Sequence, residues 1–189
     1  RIMIDLVPNH AATDHDRNAR WWDLLRNGPA SADAGWFDLD WDVPERRLRG
    51  RLLLPVLGDH YGRELEQSAF SLAIEDVHGM PEVVLVHPST TTPLELSSLA
   101  PLLRASGSTP LAELAAEIET LPGWSLPHDP DELATRRRVE PDLRRQVGAA
   151  LADPDVATAL TATLERVSTD VDTLDTLIEA QPYRLARWQ

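Results

Sequence analysis

Residues 2–7 read Ile-Met-Ile-Asp-Leu-Val, a continuous apolar run rather than an alternating one. Alternation marks a strand with one wet face, whereas an uninterrupted run suits a strand buried on both faces of a parallel sheet. Such a strand needs a neighbour on each side. No second parallel strand with its crossover helix precedes the run, and the chain opens on Arg1. Both features lead us to expect an internal piece of a larger protein. Pro8-Asn9-His10 follows, so an amide and an imidazole stand at the C-terminal end of the strand.

Composition narrows the function classes. The 189 residues carry 31 acidic and 18 basic side chains, a net charge of −13. That charge repels phosphate backbones and anionic bilayers, so neither nucleic acid nor a membrane is expected as a partner. There are no cysteines, which excludes disulfides and thiolate metal sites, and no apolar run approaches the roughly 18 residues of a membrane span. A hydrophobic content of 42% with six tryptophans supports a packed core. The expectation is a soluble, cytoplasmic chain.

Three regions are expected along the chain. Residues 1–28 hold the buried strand and a short helix through Trp21, Trp22, Leu24 and Leu25, stopped by Asn27-Gly28-Pro29. Residues 29–91 hold a polar, aromatic loop and then short strands over 52–57, 63–66, 70–74 and 83–86, forming a small antiparallel sheet. Residues 92–189 are mainly helical. There Thr109-Pro110, Asp129-Pro130 and Asp153-Pro154 each read as a cap followed by a first helical residue, and Asp129 with Glu132 reads as a capping box. The last of these opens the longest expected helix, in which Val156, Leu160, Leu164, Val167, Val171, Leu174 and Ile178 keep to one face over about seven turns. That stripe reads as a bundle core rather than a binding surface.

Five segments together resemble a known family. Asp5-Leu6-Val7-Pro8-Asn9-His10 is similar to the first signature region of the α-amylase superfamily, which ends the third barrel strand. Trp21 to Gly28, Gly35 to Trp41, and Leu53 to Gly58 with Tyr61-Gly62 and Leu65-Glu66 resemble consecutive blocks of maltooligosyl trehalose synthases. Leu174 to Trp188 resembles a further block ahead of the fourth strand. Residues 75–173 match no block. The resemblance implies an α/β fold: a fragment of a (β/α)8 barrel enzyme containing one barrel strand, a small antiparallel excursion sheet and a mainly helical insert. It implies an isomerase that turns the reducing-end α-1,4 linkage of a maltooligosaccharide into an α,α-1,1 linkage by intramolecular transglucosylation, as a step of trehalose biosynthesis. The partner implied is the maltooligosaccharide or α-1,4-glucan substrate, with no cofactor and no metal. Retaining glucan enzymes need a carboxylate nucleophile and a carboxylic acid. The strand patterns that carry these two groups in the family are absent, so no catalytic residue is expected within these 189 residues. The rivals are another glucanotransferase or hydrolase of the same superfamily and a noncatalytic helical interaction module.

Site candidates follow. By its chemistry alone His10 serves equally as a structural or a functional histidine. The resemblance implies that its ring contacts the sugar whose bond is broken, that Asn9 shapes the same wall, and that Asp5 holds neighbouring loops. Trp36 and Phe37 sit among Gly35, Asp38 and Asp40 and are the sugar-platform candidates of an aromatic set that is otherwise expected in the core. Tyr183 and Arg184 follow Pro182, where the helix must break. They could hold a released glucose, or Tyr183 could pack in the core with Arg184 paired to a surface acid. Asp14, His15, Asp16 and Asn18 read as solvated loop polarity rather than a cation site, since they lack the pattern of a calcium loop. Arg136, Arg137, Arg138, Arg144 and Arg145 read as a solvated basic helical face.

Overall fold

The computed structural model describes Ala12, residues 18–126 and residues 129–187. The expected strand over residues 2–7 therefore lies outside the described residues. Helix α1 (Ala19–Asn27) starts where Asn18 Oδ1 accepts the Trp21 N–H at 3.1 Å, a side-chain cap for an otherwise orphan donor. It ends at Gly28, whose φ of +52° is unfavourable for any residue with a Cβ. A Cβ there would also stand 2.8 Å from Pro182 Cβ, so glycine lets the helix end press against the far C-terminal segment.

The described strands form two sheets. β1 (Leu52–Leu57) pairs in parallel with β5 (Tyr183–Arg187), with Leu52 opposite Tyr183 and Leu54 opposite Leu185. The second sheet is an antiparallel meander of β2 (Ser71–Val77), β3 (Met80–His87) and β4 (Thr90–Pro93). Its first hairpin turns on His78 and Gly79, both at positive φ, which matches the twist of the flanking strands. Two expectations are corrected here. Residues 52–57 are a strand but belong to the parallel pair and not to the antiparallel sheet. Residues 63–66 lie in helix α2 (Tyr61–Glu66). In α2 Leu65 is the buried residue, so no two-residue alternation exists to drive a strand, and Glu64 accepts the Asp59 N–H at 2.9 Å near the helix start.

Helices α3 (Leu96–Ala105) and α4 (Thr109–Ile118) pack on each other. α5 (Pro130–Leu151) lies against β3 and α6 (Pro154–Thr169) against β2, and α7 (Val171–Glu179) leads to β5. Asp129 and Asp153 cap α5 and α6 as expected, each followed by proline. For α4 the cap is Ser108, which puts Pro110 one position further in. The longest helix is α5, not the one opened by Pro154. The expected seven-turn helix breaks at Asp170, whose carboxylate takes the Thr173 N–H and hydroxyl at 3.1 and 2.9 Å. A local cap competes successfully with helix continuation there, and Val171 drops off the apolar face to become 41% exposed. Gly148 admits β3 against α5, since a Cβ at that point would meet the Met80 side chain at 2.5 Å. One principal hydrophobic cluster runs from Leu24 and Leu25 through Leu52, Phe70, Leu99 and Leu164 to Leu185, and so crosses all three expected regions.

Candidate functional site

Asp5, Asn9 and His10 fall outside the described residues. Trp36 closes a short 3₁₀ turn and is 68% exposed, with the Arg20 guanidinium 3.9 Å from its ring centroid. One indole face is therefore covered by a cation, and a sugar would have the opposite face. Phe37 is half-buried, its ring 5.6 Å from that of Trp21. Tyr183 is fully buried. Its hydroxyl donates to the Pro93 carbonyl at 2.8 Å and lies 2.9 Å from Thr92 Oγ1, and burial pushes its pKa up. Arg184, next along the strand, points to the other side of the sheet and forms an ion pair with Glu179.

Segments far apart in sequence converge around this strand. Gly28 abuts Pro182, the Leu52 N–H donates to the Pro182 carbonyl at 3.0 Å, and the Tyr61 hydroxyl donates to Asp175 at 2.7 Å. Burial, reinforced by the Asp175 carboxylate, raises the Tyr61 pKa. Gln181 ties the junction together. Its Oε1 accepts the Glu95 N–H at 2.7 Å, while its Nε2 donates to the Leu177 carbonyl at 2.6 Å and to Ser98 Oγ at 3.1 Å. Three of the segments that carry the family resemblance are thus assembled side by side.

Beneath this junction lies a buried ion cluster, and it corrects the expectation of a solvated basic face on α5. Arg136, Glu140 and Arg144 recur every fourth residue, which puts them on one side of the helix, and that side faces β3. Arg144 donates to Glu140 and to Glu82 of β3, both at 2.8 Å. Arg26 of α1 pairs with the same Glu82, and the Trp22 indole N–H donates to it at 3.3 Å. Arg136, only 1% exposed, donates to Glu95 at 2.7 Å and to Asn27 at 3.0 Å. Burial alone would raise the pKa of Glu82, but Arg144 and Arg26 outweigh it and hold the carboxyl below its ordinary value. Glu140 behaves likewise under Arg144 and Arg136. Burial opposes the charge on Arg144 too, yet Glu140 and Glu82 raise its pKa overall. Only Arg138 and Arg145 of the five arginines fit the expected solvated face; Arg137 is exposed but donates to the Ala30 and Ser31 carbonyls, at 2.9 Å each.

An open cleft of about 660 Å³ adjoins the N-terminal ends of β1 and β5. Arg46, Arg47, Arg49, Arg51 and Arg184 line it, and the Trp124 indole forms part of its wall. Reading for sugar contacts missed this cleft, although four arginines within residues 46–51 of an acidic chain are a visible signal. Trp124 could not have been joined to them from sequence. Among the described residues no group of three His, Cys, Asp or Glu side chains is placed to hold a metal ion, and no helix is long and apolar enough to cross a membrane.

No family model matches the chain, and no solved structure matches it. Two curated proteins do, one from each of two strains of Mycobacterium tuberculosis, and each bears the description "Putative maltooligosyl trehalose synthase". Each is 41% identical to this chain over 58 residues, a stretch that covers 30% of this chain and 7% of the relative's length.

Proposed function

We propose that this chain is part of a glucan-remodelling enzyme of the maltooligosyl trehalose synthase type. The observation that carries the reading is the 58-residue similarity at 41% identity. It is supported by the spatial convergence of Trp22-to-Gly28, Leu52-to-Tyr61 and Asp175-to-Arg184, segments that a shared local architecture would keep together. In this reading residues 2–7 form the third strand of a (β/α)8 barrel. The antiparallel sheet and the helices form an excursion and insert that wall the substrate pocket, and water exclusion by that wall favours transfer over hydrolysis. The reaction is a double displacement through a glucosyl-enzyme intermediate. The nucleophile and the acid lie outside this segment, and His10 and Asn9 contact the sugar at the bond that breaks. Trp36 offers its open indole face to the glucan.

The test is product analysis by NMR after incubating the intact protein with maltopentaose. A non-reducing product carrying an α,α-1,1 linkage is expected. Free glucose and maltose would indicate a hydrolase, and a ladder of longer and shorter maltooligosaccharides a disproportionating transferase; either overturns the reading. Residues 1–189 expressed alone are expected to form no such product. In the intact protein His10→Ala is expected to lower kcat/KM by about 10 to 1000-fold, the effect of losing a hydrogen bond that matters in the transition state.

A further inference from the structure

The arginine cleft carries more positive charge than its surroundings neutralise. Two of its five guanidiniums have carboxylate partners: Arg49 pairs with Asp42 at 3.2 Å and Arg184 with Glu179. Among the described residues Arg46, Arg47 and Arg51 have none. Arg51 instead donates to the Glu179 backbone carbonyl at 2.7 Å. The one carboxylate in the cleft wall, Glu95, is already engaged, by Arg136 at 2.7 Å and by the Ser98 N–H at 3.0 Å, so it does not neutralise the cleft. Burial and the repulsion from Arg51 both disfavour the charge on Arg184, which fits a cluster of cations in want of an anion.

In a chain of net charge −13, three guanidiniums left without a carboxylate partner around one cleft fit an anion there. The neutral hydroxyls of a glucan do not need them. Guanidinium matches the oxygens of a phosphate bidentately and stays charged at every physiological pH. A volume of about 660 Å³ lies within the range of small-molecule sites. The Trp124 ring stands beside the charge, with the Arg51 guanidinium 5.7 Å from its centroid, and an indole takes either a sugar ring or a nucleobase on its face.

We propose that this cleft binds a phosphate monoester carried on a ring, with the phosphate held by Arg46, Arg47 and Arg51 and the ring against Trp124. The proposal is independent of the glucan reading and survives or fails separately from it.

Isothermal titration of the intact protein with glucose 6-phosphate, adenosine 5′-monophosphate, inorganic phosphate and maltose provides the test. The tighter of the two esters is expected to bind at least about tenfold more strongly than inorganic phosphate, which has no ring to set against Trp124. Which ester wins identifies the source of the phosphate. Replacing Arg46→Gln together with Arg47→Gln is expected to weaken esters and phosphate alike by about tenfold or more, and Trp124→Ala to weaken the esters while sparing phosphate. Raising the salt concentration should weaken all three anions, and maltose should not compete with them. Arg46 and Arg47 are exposed, so their replacement leaves the fold intact and a circular dichroism melt verifies it. The proposal is overturned if no anion binds more tightly than about 1 mM, if the arginine replacements leave binding unchanged, or if inorganic phosphate binds as tightly as both esters.

Discussion

Two groups of arginines in this molecule receive opposite treatment. On α5, Arg136 and Arg144 are buried, and Glu82, Glu140 and Glu95 answer them at 2.7 to 2.8 Å. Around the cleft, Arg46, Arg47 and Arg51 stand exposed or half-exposed without a carboxylate partner among the described residues. The same side chain is a strut in one place and an open valence in the other. Desolvation explains the difference. An unpaired buried charge costs several kcal/mol, so burial demands a partner, whereas water solvates an open cleft and leaves its charges available to a ligand.

The sharpest way to break the comparison is to remove the strut. Arg144→Met strands Glu140 and half of the Glu82 pairing in the core and is expected to cost about 3 to 5 kcal/mol in urea denaturation. Adding Glu140→Leu should restore part of that loss, because it is the orphaned charge that destabilises. A near-neutral Arg144→Met would mean that the cluster is solvated and the contrast false.

Acid titration sharpens the same point. Glu82 and Glu140 are held below their ordinary pKa of 4.5, so the stability they contribute is fully present above that value and is lost as pH falls through the lowered folded value. Unfolding free energy is therefore expected to decline progressively below about pH 4.5, and the decline should be shallower in Arg144→Met.

Smaller effects are expected at the cleft. Arg51→Gln gives up the hydrogen bond to the Glu179 carbonyl and should cost about 1 kcal/mol, with weakened anion binding as the larger consequence. Arg46→Gln with Arg47→Gln should leave the denaturation midpoint unchanged within error. Trp36→Ala should likewise leave stability nearly unchanged, since the indole is 68% exposed, and should raise KM for maltooligosaccharide in the intact protein if the open face is a glucan platform.

Much of the local structure was legible in sequence because the signals are local. Asn27-Gly28-Pro29 stops α1, Asp129-Pro130 and Asp153-Pro154 open α5 and α6, and residues 52–57, 70–74 and 83–86 all contribute to strands. The apolar stripe from Leu160 to Ile178 is largely buried, yet a single Asp170 cap divides it between two helices. Periodicity reports a face, and it does not report where the hydrogen-bond ladder is cut.

By itself the sequence determined where helices begin, which side chains are apolar, how much charge the chain carries and which family it resembles, since each of these depends on a few neighbouring residues. Tertiary structure alone decided that β1 pairs with a strand at the far end of the chain and that Tyr183 is a core residue with its hydroxyl engaged. It also separated the structural arginines of α5 from those lining a cleft. Partners such as Glu82 and Arg144, or Arg51 and Trp124, are distant in the chain. Whether a charge ends compensated or open follows from which elements pack together, and that is a property of the whole fold rather than of any local segment.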